Sequence, residues 1–151
     1  MLRGVYGDWT VNAAVVLATL GAVAACVLLH YEGLLLTVRG LARLGGHRRV
    51  KVLYGIGSVL VLHAIEIWIF GLVLWLLLLW PEAGSLGAGA GHLLDAIYFS
   101  ATTYTTLGFG DIAPVGPVRF MAGVESLTGL VLITWSASFT YLEMERFWRE
   151  R

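Results

Sequence analysis

His30, Glu32, His63 and Glu66 are ionisable side chains set inside two long apolar runs, where a charge is costly unless it finds a partner. Each is therefore expected to face the protein interior and the others. Three kinds of chemistry suit the set. Imidazole and carboxylate on facing helices are suitable ligands for a metal ion. A histidine beside a carboxylate titrates near physiological pH and would sense protons. A hydrogen-bonded clasp holding the first helix onto the second needs no ligand. His30 lies about eight residues from the end of its run and His63 about eleven, roughly 12 and 17 Å deep at the helical rise, so the two groups can meet.

The elements that must hold these residues follow from composition. Of 151 residues, 58% are hydrophobic and 13% charged, half the charge of a typical soluble domain. Ten Lys+Arg and ten Asp+Glu cannot cover a water-soluble body of this size, so much of the surface must face lipid. The zero formal net charge removes the basic excess that a nucleic-acid binder needs. Cys26, the one cysteine, has no intrachain disulfide partner and reads as a small apolar packing residue.

Three runs are long enough to cross about 30 Å of hydrocarbon: Val11 to Val38, Val52 to Trp80 and Val118 to Leu142. The first is too long for a cleavable signal and has no small-residue cleavage site. Arg39, Arg43, Arg48, Arg49 and Lys51 crowd the loop at 39–51 without an acid, which places that loop in the cytoplasm. The N-terminus and the segment from Pro81 to Pro117 are then outside, and the tail at 143–151 is inside. Trp9, Trp80 and Trp148 fall at span ends, where interfacial aromatics belong.

A fourth apolar stretch, Leu93 to Thr105, is too short to span. It follows the glycine-rich run Gly84 to Gly91 and reads as a short helix with Asp95 in its first turn, where an acid suits the helix dipole. Non-helical backbone after such a helix is tolerated at membrane depth only where protein buries it or it lines water. The pattern asks for a re-entrant pore loop.

After that helix comes Thr105-Thr106-Leu107-Gly108-Phe109-Gly110-Asp111. This segment resembles the selectivity filter of the potassium-channel pore family, whose signature is Thr-Val-Gly-Tyr-Gly-Asp. The order of span, pore helix, filter, Asp, Pro114 and glycine-bearing inner helix is also the family's, over about residues 52–142. The wider pattern is similar to small bacterial members with one extra leading span. The resemblance implies an all-α membrane protein with three transmembrane helices and a re-entrant pore loop. Its segments are an extra helix at 1–38, the basic loop at 39–51, a pore module at 52–142 (outer helix 52–80, pore helix 93–105, filter 106–111, inner helix 118–142) and the tail.

The resemblance further implies passive K+ conduction by a homotetramer in the cell (inner) membrane, with K+ in the filter, no organic cofactor and no enzymatic activity. Carbonyl rings replace the hydration of the ion. They come from Thr106, Leu107, Gly108 and Phe109, with the Thr106 hydroxyl innermost and Gly110 and Asp111 at the outer mouth. Leu107 and Phe109 are expected to pack back against the pore helix. Gly129 matches the hinge position, or serves close helix packing, and Leu130, Ile133, Ala137 and Tyr141 continue a cavity-lining stripe below it. Glu125 is placed behind the pore helix, within reach of the Ser100 to Thr103 hydroxyls, or else attracts cations in the cavity.

Phe109 departs from the family pattern by lacking the tyrosine phenol. No span carries regularly spaced arginines, so there is no voltage sensor, and gating falls to the membrane-embedded part, lipid, ions or a separate regulatory partner. Two rival readings remain open: a weakly selective cation channel, and a non-conducting membrane subunit or metal-binding protein built on the His/Glu cluster.

Overall fold

The computed structural model describes residues 7–45, 48–87 and 90–149, and the side chains as far as Arg146. Residues 1–6, 46–47, 88–89 and 150–151, which belong to the extra-helix segment, basic loop, glycine-rich run and tail delimited above, lie outside the described residues, as does the Trp148 side chain.

Among the described residues there are four α-helices: α1 (Trp9–Arg43), α2 (Arg48–Leu78), α3 (Leu93–Tyr104) and α4 (Val118–Arg149). Among the described residues there is no strand, only an isolated bridge between Ser85 and Val115. Helices α1, α2 and α4 are long and apolar enough to cross a membrane, and the chain is a multi-pass membrane protein.

The helices outrun the apolar segments that announce them. α1 continues from Val38 to Arg43, and α4 from Leu142 to Arg149. Charged residues with good helix propensity extend a helix once its hydrogen-bonding groups reach water. Asp8 caps α1 by accepting from the Thr10 amide at 2.9 Å and the Thr10 hydroxyl at 2.6 Å. Those bonds hold its carboxyl below the usual aspartate range.

α3 starts with a reciprocal cap. The Leu94 amide donates to His92 Nδ1 at 3.3 Å, and the His92 amide donates to Asp95 Oδ2 at 3.0 Å. Paired bonds between Ser85 and Val115, at 3.0 and 2.8 Å, tie the segment after α2 to the one before α4. Gly84, at φ +131, passes under the Val115 carbonyl, where a Cβ has no room.

The core is a seam rather than a ball. α1 buries Val11, Val15, Thr19, Ala22, Cys26, His30, Leu34, Thr37 and Leu41, one stripe at spacings of three and four. α2 contributes Leu62, Glu66, Phe70, Gly71 and Leu74. α4 adds Met121, Glu125, Thr128, Leu132 and Ser136. The other faces are apolar and uncovered, as lipid or a neighbouring copy requires. Gly71 lets α3 approach α2 closely, since a Cβ there would lie 2.9 Å from the Ile97 Cα.

Candidate functional site: the pore loop and the cluster behind it

Helix α3 ends at Tyr104, and the chain then takes a backbone path that ordinary residues avoid. Thr106, Gly108 and Gly110 have φ of +59°, +54° and +81°, while Thr106 is the one non-glycine residue with positive φ among the described residues. A change in the sign of φ at every second residue departs from helix and strand alike, both of which keep φ negative throughout. Glycine takes this conformation freely. Thr106 does not, being β-branched, and such outliers concentrate at functional sites.

The loop is pinned at both ends. The Thr106 amide donates to the Thr103 carbonyl at 2.9 Å and the Gly108 amide to the Thr102 carbonyl at 3.0 Å. At the outer end the Tyr98 hydroxyl donates to Asp111 Oδ2 at 2.8 Å. A tyrosine of α3 thus straps the loop, although Phe109 supplies no phenol. Leu107 and Phe109 do not pack against their own pore helix as expected. They stay 60% and 65% exposed in the single chain.

Helix α4 runs behind the loop. The Ser126 hydroxyl donates to the Thr103 carbonyl at 3.1 Å, and Ala122, Gly123 and Ser126 border a recess shared with Thr106 and Gly108. Leu130, Ile133, Ala137 and Tyr141 follow Ser126 at i+4, i+7, i+11 and i+15, on the loop side of the helix. All four are exposed in the single chain. Gly129 is buried against the end of α3, where a Cβ would overlap the Tyr104 carbonyl oxygen and lie 2.8 Å from its carbon. That contact favours close packing over a free hinge.

Glu125 is fully buried and accepts a very short hydrogen bond from the Ser100 hydroxyl, which also approaches the Ile67 carbonyl at 2.8 Å. The cavity alternative for Glu125 is not what this position offers, since the side chain faces the seam between α2, α3 and α4.

Of the four ionisable residues in the first two spans, three meet. His30 Nδ1 lies 2.8 Å from Glu66 Oε1, and His63 Nδ1 lies 2.9 Å from Glu66 Oε2. Glu32 does not join them and is exposed. Two residues of helix turn a side chain by about 200°, so one face cannot hold both His30 and Glu32. Two unforeseen residues complete the group. The Tyr104 hydroxyl donates to Glu66 Oε2 at 2.5 Å and sits 3.0 Å from His63 Nδ1, and Ser136 Oγ lies 3.2 Å from His30 Nε2. All four helices therefore contribute a side chain to the cluster around His30 and Glu66, and Tyr104 is two residues from Thr106. The polarity of Ser136 inside an apolar span was a usable signal; nothing local marked Tyr104.

Three long apolar helices around a short one, followed by a loop with positive φ at every second residue, make up a pore-loop membrane protein. Residues 58–144 match the family described as ion channel, and the chain belongs to that family, the potassium-channel pore family its filter segment resembles. Over 60 residues it is 33% identical to the inward rectifier potassium channel Kirbac3.1 of Paramagnetospirillum magnetotacticum, covering 39% of this chain and 20% of that protein. Over 76 residues it is 36% identical to an uncharacterized protein of Methanothermus fervidus, covering 48% of this chain and 12% of that one. The chain thus spans a fifth or less of either relative. No solved structure matches it significantly.

Proposed function

We propose that the chain is one subunit of a homotetrameric channel that conducts K+ selectively and passively across the cell membrane. The observation that carries this reading is the alternation of positive φ at Thr106, Gly108 and Gly110 within Thr-Leu-Gly-Phe-Gly-Asp. One such strand presents a row of carbonyls to one side, and an ion needs oxygens all around it. Four copies about an axis turn the row into rings at Thr106, Leu107, Gly108 and Phe109, with the Thr106 hydroxyl below them. The exposure of Leu107 and Phe109 supports the same assembly, since a neighbouring copy would cover two large apolar side chains that their own chain leaves bare.

Below the rings, Leu130, Ile133, Ala137 and Tyr141 line the cavity, while the basic segment around Arg39 and Arg43 keeps the inner ends of the helices in the cytoplasm. The Tyr98–Asp111 bond favours strict selectivity over the weakly selective alternative, because it restrains the filter where Phe109 cannot. The test is a liposome reconstitution of the purified chain. A reversal potential that follows the K+ gradient and ignores the Na+ gradient supports the reading, and one that follows both gradients equally overturns it.

A further inference from the structure

Glu66 is fully buried and gathers three partners, His30, His63 and Tyr104. With both imidazoles in the Nδ1–H tautomer, His30 donates to Oε1 at 2.8 Å while His63 and Tyr104 donate to Oε2 at 2.9 and 2.5 Å. The Ser136 hydroxyl then donates to His30 Nε2 at 3.2 Å. A carboxylate at this depth among four helices is costly unless positive charge faces it. A cation bound at the same point removes that cost.

We propose that His30, His63, Glu66 and Tyr104 form a binding site for a divalent transition-metal ion of the Zn2+ type, distinct from the ion-conducting loop. Ligand atoms of His30, His63 and Glu66 already lie within 4.8 Å of one another. A tetrahedral ion with ligands at about 2.0–2.1 Å sets them roughly 3.3 Å apart, so small side-chain shifts suffice. Binding moves each imidazole proton from Nδ1 to Nε2, which frees both Nδ1 lone pairs. The Nε2–H of His30 then donates to Ser136 Oγ, the partner already in place to orient the ring. The Tyr104 hydroxyl gives its proton to solvent and binds as phenolate. Two positive charges then meet one carboxylate and one phenolate, leaving a neutral N2O2 complex. His63, at 14% exposure the one histidine of the set not fully buried, provides the way in.

The site does not depend on which ion the pore carries, so it is tested by spectroscopy rather than flux. The full chain, stripped with chelator and held in nanodiscs, is titrated with Co2+ and separately with Zn2+. The expected result is about one ion bound per chain, intense visible bands of tetrahedral Co2+, and the ultraviolet difference spectrum of tyrosinate. His63→Ala should abolish binding, and Tyr104→Phe should keep the ion while losing the tyrosinate signal. His92→Ala, outside the cluster, should change neither. Absence of the tetrahedral bands in the wild-type chain overturns the site, as does binding that survives a folded His30→Ala/His63→Ala variant. If those variants fail to fold, the wild-type spectrum and the Tyr104→Phe comparison decide the matter alone.

Discussion

Gly129 on α4 and Tyr104 at the end of α3 are packed backbone to backbone, with no room between them for a methyl group. Because the obstacle is a carbonyl rather than a flexible side chain, rotation cannot relieve it. Gly129→Ala should destabilise the folded chain by about 1–3 kcal/mol, the usual cost of overpacking. Gly21→Ala, in α1 with nothing within 4 Å of a new Cβ, should stay within about 0.5 kcal/mol of the parent. Thermal unfolding of both variants in detergent measures the contrast, and equal midpoints would contradict it.

Gly108 holds φ +54° with nothing within 4 Å of a built Cβ, so the objection to alanine there is conformational rather than steric crowding. The left-handed conformation costs an L-residue about 1–2 kcal/mol, and the cost recurs in every copy that contributes to the filter. Gly108→Ala should abolish selective K+ flux while leaving helix content unchanged. Unaltered selective flux with circular dichroism like the parent's would remove the carbonyl-ring assignment.

Tyr98→Phe cuts the bond from the pore helix to Asp111 without changing the packing of the ring. The expected outcome is a fall in the K+/Na+ permeability ratio, read from bi-ionic reversal potentials. Asp111→Asn, which keeps an acceptor for the phenol, should lower it less. The bond to Asp111 raises the Tyr98 phenol above its ordinary pKa of 10.0. A raised acid is stabilised in its protonated form, so the strap is intact at neutral pH and is lost only as pH climbs beyond the usual tyrosine range.

Single cysteines at Leu130, Ile133, Ala137 and Tyr141 should react with thiol reagents applied from the cytoplasmic side and block current. Cys26 is fully buried and supplies little background. A pattern of block at Val131 and Thr134 instead would mean that α4 presents a different face to the axis.

Different physics made different parts of this molecule readable. The three long helices follow from hydropathy, since a lipid-facing helix needs only length and apolar composition, and the all-helical membrane fold follows with them. The short helix at Leu93 was equally visible from its apolar run with Asp95 in the first turn, while the His92 half of its cap was not read. Side-chain company was harder to read. His30 and His63 are drawn to Glu66, but Glu32 was grouped with them by depth alone, and depth does not report azimuth. Tyr104 reaches Glu66 from 38 residues further along the chain and Ser136 reaches His30 from 106, a proximity that only the packing of α3 and α4 creates. The exposure of Leu107 and Phe109 could not be had from the sequence, since no local pattern reports which way a loop side chain points.

The convergence on Glu66 also bears on how the protein is made. α2 carries a carboxylate near its middle, and an acid at that depth opposes insertion of a lone helix by roughly 2.5–3.5 kcal/mol. Synthesis runs from the N-terminus, so α1 enters the bilayer first and His30 is already waiting when Glu66 arrives. The first helix is then an escort built into the nascent chain, and a channel synthesised without it would have to push Glu66 into lipid with only its own His63 for company, since Tyr104 has yet to leave the ribosome.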